Sequence, residues 1–160
     1  MKVSVRFALA ILLIGSATAS LSTHAQTIVT LGSGFFNPSG VAVDGSSNVF
    51  VADAGHSAVK EILAAGGYTT VNTLGSGFNS PPGVAVDGSE NVFVADAGNN
   101  AVKLLLSPAY TAVITLGSGF NAPSGVAVDG SGNVFVGDTG NQAVKEIVAH
   151  DEIFANGFEP

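Results

Sequence analysis

Short segments in which apolar and small or polar residues alternate recur along this chain, and the middle copy shows the pattern clearly. Alternation places the valines of residues 83–87 on one face, as in a strand, and residues 87–91 have the Asp-Gly-Ser composition of a tight turn. Residues 92–96, 101–106 and 111–116 are rich in β-branched and long apolar side chains. The pattern therefore predicts four short antiparallel strands in each copy.

The copies are close repeats of one another. They begin at Gly40, Gly83 and Gly125 and read GVAVDGSSNVFVADAGHSAVKEI, GVAVDGSENVFVADAGNNAVKLL and GVAVDGSGNVFVGDTGNQAVKEI, with a period of about 42 residues. A unit of this length with four strands is typical of one blade of a β-propeller, in which each blade buries its apolar faces against its neighbours.

The string PSGVAVDGSGNVFVGDTGNQAVKEI resembles an NHL repeat, whose usual form is P-x-G-V-A-V-D, then G-N-V-Y-V-A-D, then a G-N-N turn. The resemblance extends to all three copies and covers roughly residues 27–149. It implies propeller blades, which the family usually assembles into a ring of six. A basic residue that often follows the turn in the family is replaced by Ala-Val, and the turn itself varies between His56-Ser57, Asn99-Asn100 and Asn141-Gln142.

The first residues predict a secretory signal peptide. Lys2 and Arg6 precede an apolar run over residues 7–15, and small and polar residues lead to a cleavage site after Ala25 or Ala19. The run is shorter than the roughly 20 apolar residues that span a bilayer. The chain contains no cysteine, which excludes a lipoprotein anchor and disulfides. We therefore expect an exported protein, and the choice between periplasm, secretion and cell surface stays open.

The expected domain organisation has three parts. They are a signal peptide over residues 1–25, an NHL-repeat β-propeller region over residues 26–149 with repeats near 35–64, 78–106 and 120–149, and a C-terminal tail over residues 150–160. The tail loosely resembles an I-F-x-x-G-F-E ending found on exported bacterial proteins, which implies a sorting tag and a place in the bacterial envelope. Alternatively, its two phenylalanines cover an end blade.

The strand count suggests how the blades could close. Residues 26–31 predict a lone fourth strand ahead of the first copy, whereas the third copy has only three strands before the tail. The expected fold is therefore all-β, with three four-stranded antiparallel propeller blades that form half of a six-bladed propeller. Two chains could complete the ring as a homodimer by exchanging the first strand. An open three-blade arc, or a truncated relic of a longer gene, remains the alternative.

Charge narrows the range of partners. Twelve acidic residues face five basic ones, for a formal net charge of −7, and only three lysines follow the signal peptide. Such a surface excludes nucleic acid and disfavours anionic membranes, both of which require clustered Lys and Arg. We expect no membrane span once the signal peptide is removed.

Two sets of aspartates end the first and second strands of the copies. Six carboxylates on a ring could bind calcium, but the later bidentate Glu of a calcium loop is missing and turns use Asp at such positions. Structural turns are favoured, and no metal or cofactor is expected. The two sets are Asp44, Asp87 and Asp129, and Asp53, Asp96 and Asp138.

Histidine is scarce after the signal peptide, with only His56 and His150. Two histidines supply a catalytic zinc site poorly. We interpret His56 as a drifted turn residue, although an acid/base pair with Glu61 or Glu146 stays open. No catalytic set is evident, so the chain is not expected to be an enzyme. The alternative is a lyase- or lactonase-like propeller enzyme of the streptogramin-lyase or gluconolactonase type, which the family resemblance implies.

The interpretation that remains is binding or scaffolding, with a protein, peptide or glycan as the ligand. In propellers, the turn between the second and third strands shares a face with the crossover into the next blade, and amides beside apolar residues suit such ligands. A purely structural envelope component is a further possibility. Phe36, Phe78 and Phe120 accompany this face and are expected to pack between blades. The predicted ligand-binding face comprises Asn37, His56, Ser57, Asn79, Asn99, Asn100, Asn121, Asn141 and Gln142.

Overall fold

The computed structural model describes residues 26–149, which fold into three antiparallel sheets. The predicted signal peptide and the predicted tail, with His150, lie outside the described residues. No helix among the described residues is long and apolar enough to cross a membrane.

The first sheet contains β1 (Pro38–Val43), β2 (Val49–Asp53), β3 (Ala58–Ile62) and β4 (Val71–Leu74). Its strands follow one another in chain order across the sheet, and every neighbouring pair is antiparallel. This up-and-down order is the simplest result of joining consecutive strands by short turns.

The second sheet repeats the first with β5 (Gly83–Val86), β6 (Val92–Asp96), β7 (Ala101–Leu105) and β8 (Val113–Leu116). The register between the third and fourth strands is also repeated, because Lys60 faces Thr73 in the first sheet and Lys103 faces Thr115 in the second. Equivalent sequence positions therefore occupy equivalent places in the two sheets.

The third sheet has only three strands, namely β9 (Pro123–Val128), β10 (Val134–Asp138) and β11 (Ala143–Ile147). The sequence prediction of an all-β fold with repeated antiparallel sheets is confirmed, but a fourth strand does not pair with β11 within residues 26–149.

The lone strand predicted over residues 26–31, which the exchange model pairs with a second chain, does not form within a single chain. These residues carry no strand assignment, and Ile28 and Val29 are exposed. A strand exists only when its backbone groups pair with a neighbouring strand, and within the part of the chain described no strand edge lies against residues 26–31.

The hairpin turns between the first two strands of each sheet are built by the first set of aspartates. Asp87 Oδ1 accepts hydrogen bonds from the backbone N–H groups of Ser89 and Asn91, and Asp87 Oδ2 accepts one from the Asn91 side chain. Asp44 and Asp129 make the same bonds in the other sheets. These side chains hold their own turns, as the Asp-Gly-Ser composition predicts.

Each pair of adjacent sheets encloses a hydrophobic cluster. Phe50 of the first sheet packs with Val92 and Val94 of the second, and Phe93 of the second packs with Val134 and Val136 of the third. One face of a sheet thus contacts the sheet before it and the other face contacts the sheet after it, which is how stacked repeats form a continuous core.

Short 3₁₀ turns connect the second and third strands of the three sheets. They span Ala54–His56, Ala97–Asn99 and Thr139–Asn141. Each ends in a residue with a left-handed backbone, namely Ser57, Asn100 or Gln142. These turns bring most of the predicted binding residues to one end of the sheets.

Candidate functional site

A buried carboxylate lies beneath each 3₁₀ turn. Asp96, the last residue of β6, is fully buried. Its Oδ1 accepts a hydrogen bond from the Asn79 backbone N–H at 2.7 Å, and its Oδ2 accepts one from the Asn99 side chain at 2.7 Å. One carboxylate therefore fastens both the crossover that enters the sheet and the turn above it.

A lysine neutralises this carboxylate. Lys103 Nζ lies 2.6 Å from Asp96 Oδ2, donates a hydrogen bond to the Gly77 carbonyl, and sits 5.2 Å from the centre of the Phe78 ring. A buried anion needs a charged partner and further hydrogen bonds to be tolerated. The ammonium supplies both functions here and adds a cation–π contact with the crossover.

The same cluster recurs in the other two sheets, and we call each copy an Asp-Lys-Phe cluster. The clusters comprise Asp53, Lys60 and Phe35 in the first sheet, Asp96, Lys103 and Phe78 in the second, and Asp138, Lys145 and Phe120 in the third.

Two of these carboxylates, Asp53 and Asp138, have a lowered pKa and are held in the ionised form. Burial alone raises the pKa of Asp138, but hydrogen bonds from the Asn121 N–H, Lys145 and Asn141 outweigh burial and bring its pKa down to about 2. At Asp53, hydrogen bonds from Lys60, His56 and the Phe36 N–H likewise outweigh burial and lower the pKa. Such groups serve as fixed anions and are poor proton carriers near neutral pH.

His56 occupies the turn position that Asn99 and Asn141 occupy in the other sheets. Its Nδ1 lies 2.8 Å from Asp53 Oδ2, and its ring packs edge-on against Phe36 at 5.7 Å. Its carboxylate partner is therefore Asp53, whereas the Glu61 side chain accepts a hydrogen bond from Asn72. Neither Glu61 nor Glu146 pairs with His56, so the acid/base pairs left open by the sequence do not form.

The predicted binding face consists of exposed residues, apart from the half-buried Ser57. Several of its polar groups are nevertheless engaged within the protein. The Asn99 and Asn141 amides each donate both to a buried aspartate and to a crossover carbonyl. Ser57 Oγ accepts a hydrogen bond from the Ser80 N–H of the next sheet, and Asn100 Oδ1 accepts one from the Ala122 N–H.

The crossovers of the three sheets align differently from the prediction. Phe35, rather than Phe36, is the equivalent of Phe78 and Phe120, because it lies over the lysine of its sheet. Phe36 donates its backbone N–H to Asp53, as Asn79 does to Asp96, and its side chain is exposed. The prediction that Phe36 packs between sheets is therefore wrong, because Phe36 stands where the other copies have Asn79 and Asn121.

With Phe36 in that place, Asn37 corresponds to Ser80 and Ala122, and all three have a positive φ. The structure thus does not place Asn37, Asn79 and Asn121 at equivalent positions. Asn79 and Asn121 remain side by side with Gly98 and Gly140 of the turns, where they could contact a ligand.

A wide cleft lies elsewhere, at the outer rim between the first and second sheets. It has a volume of about 640 Å³ and is lined by Glu61, Asn72, Thr73, Glu90 and Tyr110, together with apolar residues of β4 and the 108–109 loop. We call it the rim cleft. None of the nine predicted binding residues lines it, because it forms only when the edge of β4 meets a loop about forty residues away in the sequence.

Acidic side chains and an aromatic side chain both line the rim cleft. Tyr110 packs edge-on against Phe50 and donates its hydroxyl hydrogen to the Glu90 carbonyl, which fixes the ring in place. Glu61 is buried except where it borders the cleft. Within residues 26–149 no group of three or more His, Asp and Glu side chains converges as a metal site would require.

Comparison with known proteins identifies the repeat. Residues 120–147 match the family model described as NHL repeat. No curated protein sequence matches the chain.

Several solved structures share the fold. A chain of a nidogen/laminin complex superimposes with a TM-score of 0.60 at 21% identity, over 68% of this chain and 42% of that one. Hydrazine synthase from Kuenenia stuttgartiensis gives 0.55 at 15% identity, over 73% and 37%. A streptogramin B lyase gives 0.53 at 11% identity, over 68% and 39%. At these identities the likeness concerns the fold alone, and this chain spans about two fifths of each of those chains.

Proposed function

Because residues 120–147 match the NHL repeat and the fold resembles that of propellers, we propose that this chain is an exported binding module whose partner is a protein or peptide segment carrying Lys or Arg. The observation that carries the proposal is the use of every lysine of the described residues inside the protein. Lys60, Lys103 and Lys145 are all held by the fully buried aspartates of the Asp-Lys-Phe clusters.

The surface that remains is acidic. Within residues 26–149 a further set of carboxylates has no ion-pair partner, so a positively charged partner is attracted by negative charge that no lysine neutralises. This set comprises Asp44, Glu61, Asp87, Glu90, Asp129 and Glu146.

The rim cleft offers a site suited to such a partner. Its volume accommodates one or two side chains, Tyr110 contributes to an apolar wall, and Glu61 and Glu90 supply negative charge. The free edge of β4 at the same place supports docking of an extended segment by main-chain hydrogen bonds. Propellers act in protein complexes elsewhere, as the nidogen/laminin neighbour illustrates.

Export is proposed on the sequence of residues 1–25. N-terminal sequencing of the protein recovered outside the cytoplasm tests this part. A new N-terminus at Gln26 or Ser20 supports it, and an intact Met1 in a cytoplasmic fraction contradicts it.

Binding is tested by fluorescence anisotropy with three probe sets, namely Lys/Arg-containing peptides, acidic peptides and neutral oligosaccharides. We expect only the basic peptides to bind, with an affinity that falls as salt rises. Glu61→Gln and Glu90→Gln remove cleft charge at constant shape and should weaken binding about threefold to tenfold each. Asn79→Ala, on the predicted turn face, is the matched control.

Two results would contradict parts of this proposal. Loss of binding in Asn79→Ala, with both glutamate variants unaffected, would move the site to the predicted turn face. Binding of the neutral oligosaccharides in place of basic peptides would contradict the partner class and favour a glycan.

A lyase is the second candidate, and the His56–Asp53 pair is the observation that favours it. A half-exposed imidazole oriented by a buried carboxylate has the arrangement of a general base, and the streptogramin B lyase neighbour shares the fold. His56→Asn introduces the residue that the other sheets already use. The second candidate predicts that any lyase turnover of a streptogramin B disappears in this variant, whereas the binding module shows no turnover in either form.

A further inference from the structure

We propose that a second copy of this chain completes the third sheet, with its residues 28–31 pairing along β11 and its first sheet packing on the exposed face of the third sheet. Two chains would then close into a ring of six sheets. The inference is independent of the rim cleft, since it concerns the two ends of the stack.

Residues 28–31 have the sequence of a fourth strand. Ile-Val-Thr-Leu at 28–31 corresponds to Val71–Leu74 of β4 and Val113–Leu116 of β8, and Gly-Ser-Gly-Phe follows in all three cases. Because the register of β3 with β4 equals that of β7 with β8, the same register pairs Thr30 with Lys145 and Val29 with Glu146. A strand and its matching edge thus exist at opposite ends of one chain.

Within residues 26–149, nothing covers the edge and outer face of the third sheet, whereas the equivalent residues of the other sheets are buried. Val144 of β11 is 81% exposed, whereas Val59 of β3 and Val102 of β7 are 0% exposed. Ile28, at the other end of the chain, is 98% exposed. The first sheet likewise exposes Val41 and Val43 on the face opposite its neighbour. Exposed apolar side chains at both ends indicate a surface that another molecule covers.

A hydrogen bond links the turn of one sheet to the crossover of the next, and among the described residues it is made between the first and second sheets and between the second and third. Ser57 Oγ accepts a hydrogen bond from the Ser80 backbone N–H, and Asn100 Oδ1 accepts one from the Ala122 backbone N–H. Gln142 holds the equivalent turn position in the third sheet, and Asn37 holds the equivalent crossover position in the first. In the proposed ring, the Gln142 side-chain oxygen of one copy accepts a hydrogen bond from the Asn37 backbone N–H of the other.

The inner strands meet so closely that only glycine fits at the contact. A Cβ on Gly40 would lie 2.8 Å from the Pro82 carbonyl oxygen, and a Cβ on Gly83 would lie 2.8 Å from the Ser124 carbonyl oxygen. Gly125 is the third glycine of this series, yet a Cβ there meets nothing within 4 Å. A second copy would place the Ser39 carbonyl against Gly125, which explains the third glycine.

The proposed number of copies is set by the number of blades that a closed propeller can contain. Propellers close with about four to eight blades, so two chains of three sheets fit and three chains do not. The contact joins unlike ends of the chain, and such contacts form a ring when the rotation closes and open chains when it does not. Closure at two copies leaves no edge of this kind exposed.

The test is the mass of the full chain in solution by light scattering, compared with Gly125→Ala. We expect the unaltered protein to have twice the mass of one chain. Gly125→Ala should weaken association about 100-fold or more, because the added methyl overlaps the partner at both contacts. Gly130→Ala, whose Cβ also meets nothing within 4 Å, is the matched control and should remain a dimer.

Gly125→Ala is expected to keep the circular dichroism spectrum and the unfolding transition of a dissociated chain, which separates a contact effect from misfolding. A single-chain mass for the unaltered protein at micromolar concentration would overturn the proposal and favour residues 150–160 of the same chain as the cover of β11. A dimer that Gly125→Ala leaves unchanged would overturn it as well, because association would then use another surface.

Discussion

The second and third sheets have nearly the same sequence but different surroundings. The second is covered on both faces, whereas the third is covered on one. Phe93 of β6 is accordingly 3% exposed and its equivalent Phe135 of β10 is 38% exposed, and the Lys103 and Lys145 side chains are 13% and 36% exposed. The repeat determines the path of each sheet, and the neighbouring sheet determines how much each residue contributes to stability.

The largest expected effect is on the aromatic pair of this comparison. Phe93→Ala should lower the free energy of unfolding by about 3–5 kcal/mol, since it leaves a cavity between two sheets. Phe135→Ala should lower it by about 1 kcal/mol in dissociated chains, because the ring already contacts water. Urea unfolding at high dilution measures both. Equal losses would contradict the difference in burial.

The Asp–Lys ion pairs of the second and third sheets allow the same comparison, because the two pairs have the same chemistry and differ in exposure. Asp96→Asn leaves Lys103 without its anion in a buried place and should lower the free energy of unfolding by about 3 kcal/mol. Asp138→Asn should cost less, about 1–2 kcal/mol, since the more exposed Lys145 can turn towards water. Thermal unfolding of both variants provides the measurement, and a larger loss for Asp138→Asn would refute this reasoning.

Acid should remove the stabilisation that comes from the lowered pKa of Asp138. The pKa of Asp138 is about 2 in the folded chain, and its ordinary value is 3.8. Because the folded pKa is the lower one, the stabilisation is complete above about pH 4 and is lost as the pH falls from about 4 to 2. Asp53 and Asp129, whose pKa values are also lowered, act in the same direction. Urea midpoints across this range should fall less steeply in Asp138→Asn; an unchanged slope would argue against the shift.

The smallest expected effect is at His56, where the first sheet departs from the other two. His56→Asn should change the free energy of unfolding by no more than about 0.5 kcal/mol, because Asn99 and Asn141 make the same hydrogen bond to their buried aspartates. His56→Ala should cost about 1 kcal/mol or more, since it leaves Asp53 with one donor fewer. A large loss in His56→Asn would show that the imidazole has a role that the amide does not supply.

Local features of this fold could be predicted from the sequence, because local residues make them. The hairpins and their turns follow from alternating valines and from side chains such as Asp87, which bond within their own turn. The Asp-Lys-Phe clusters were missed, although a signal was present: Lys60, Lys103 and Lys145 follow the buried aspartates at one constant spacing.

Features that depend on distant segments could not be predicted in the same way. The rim cleft needs β4 and Tyr110 together, and these lie far apart in the sequence. The match of Phe35 with Phe78, by contrast, is present in the sequence, since Gly-Ser-Gly precedes both. Residues 28–31 have the sequence of a strand but form no strand in the single chain. The strand edge that would pair with them, β11, lies at the far end of the stack of sheets. Whether such a segment becomes a strand depends on its partner.

The pairing of residues 28–31 with β11 of a second copy is tested most directly by disulfide cross-linking, since the chain has no cysteine of its own. A chain with Val29→Cys is mixed with a chain with Glu146→Cys and oxidised; directly opposed residues lie close enough for a disulfide. We expect a covalent dimer from this mixture and none when Thr30→Cys replaces Val29→Cys, because Thr30 points to the other face of the sheet. Failure of the first mixture to cross-link, or equal cross-linking in both, would contradict the account.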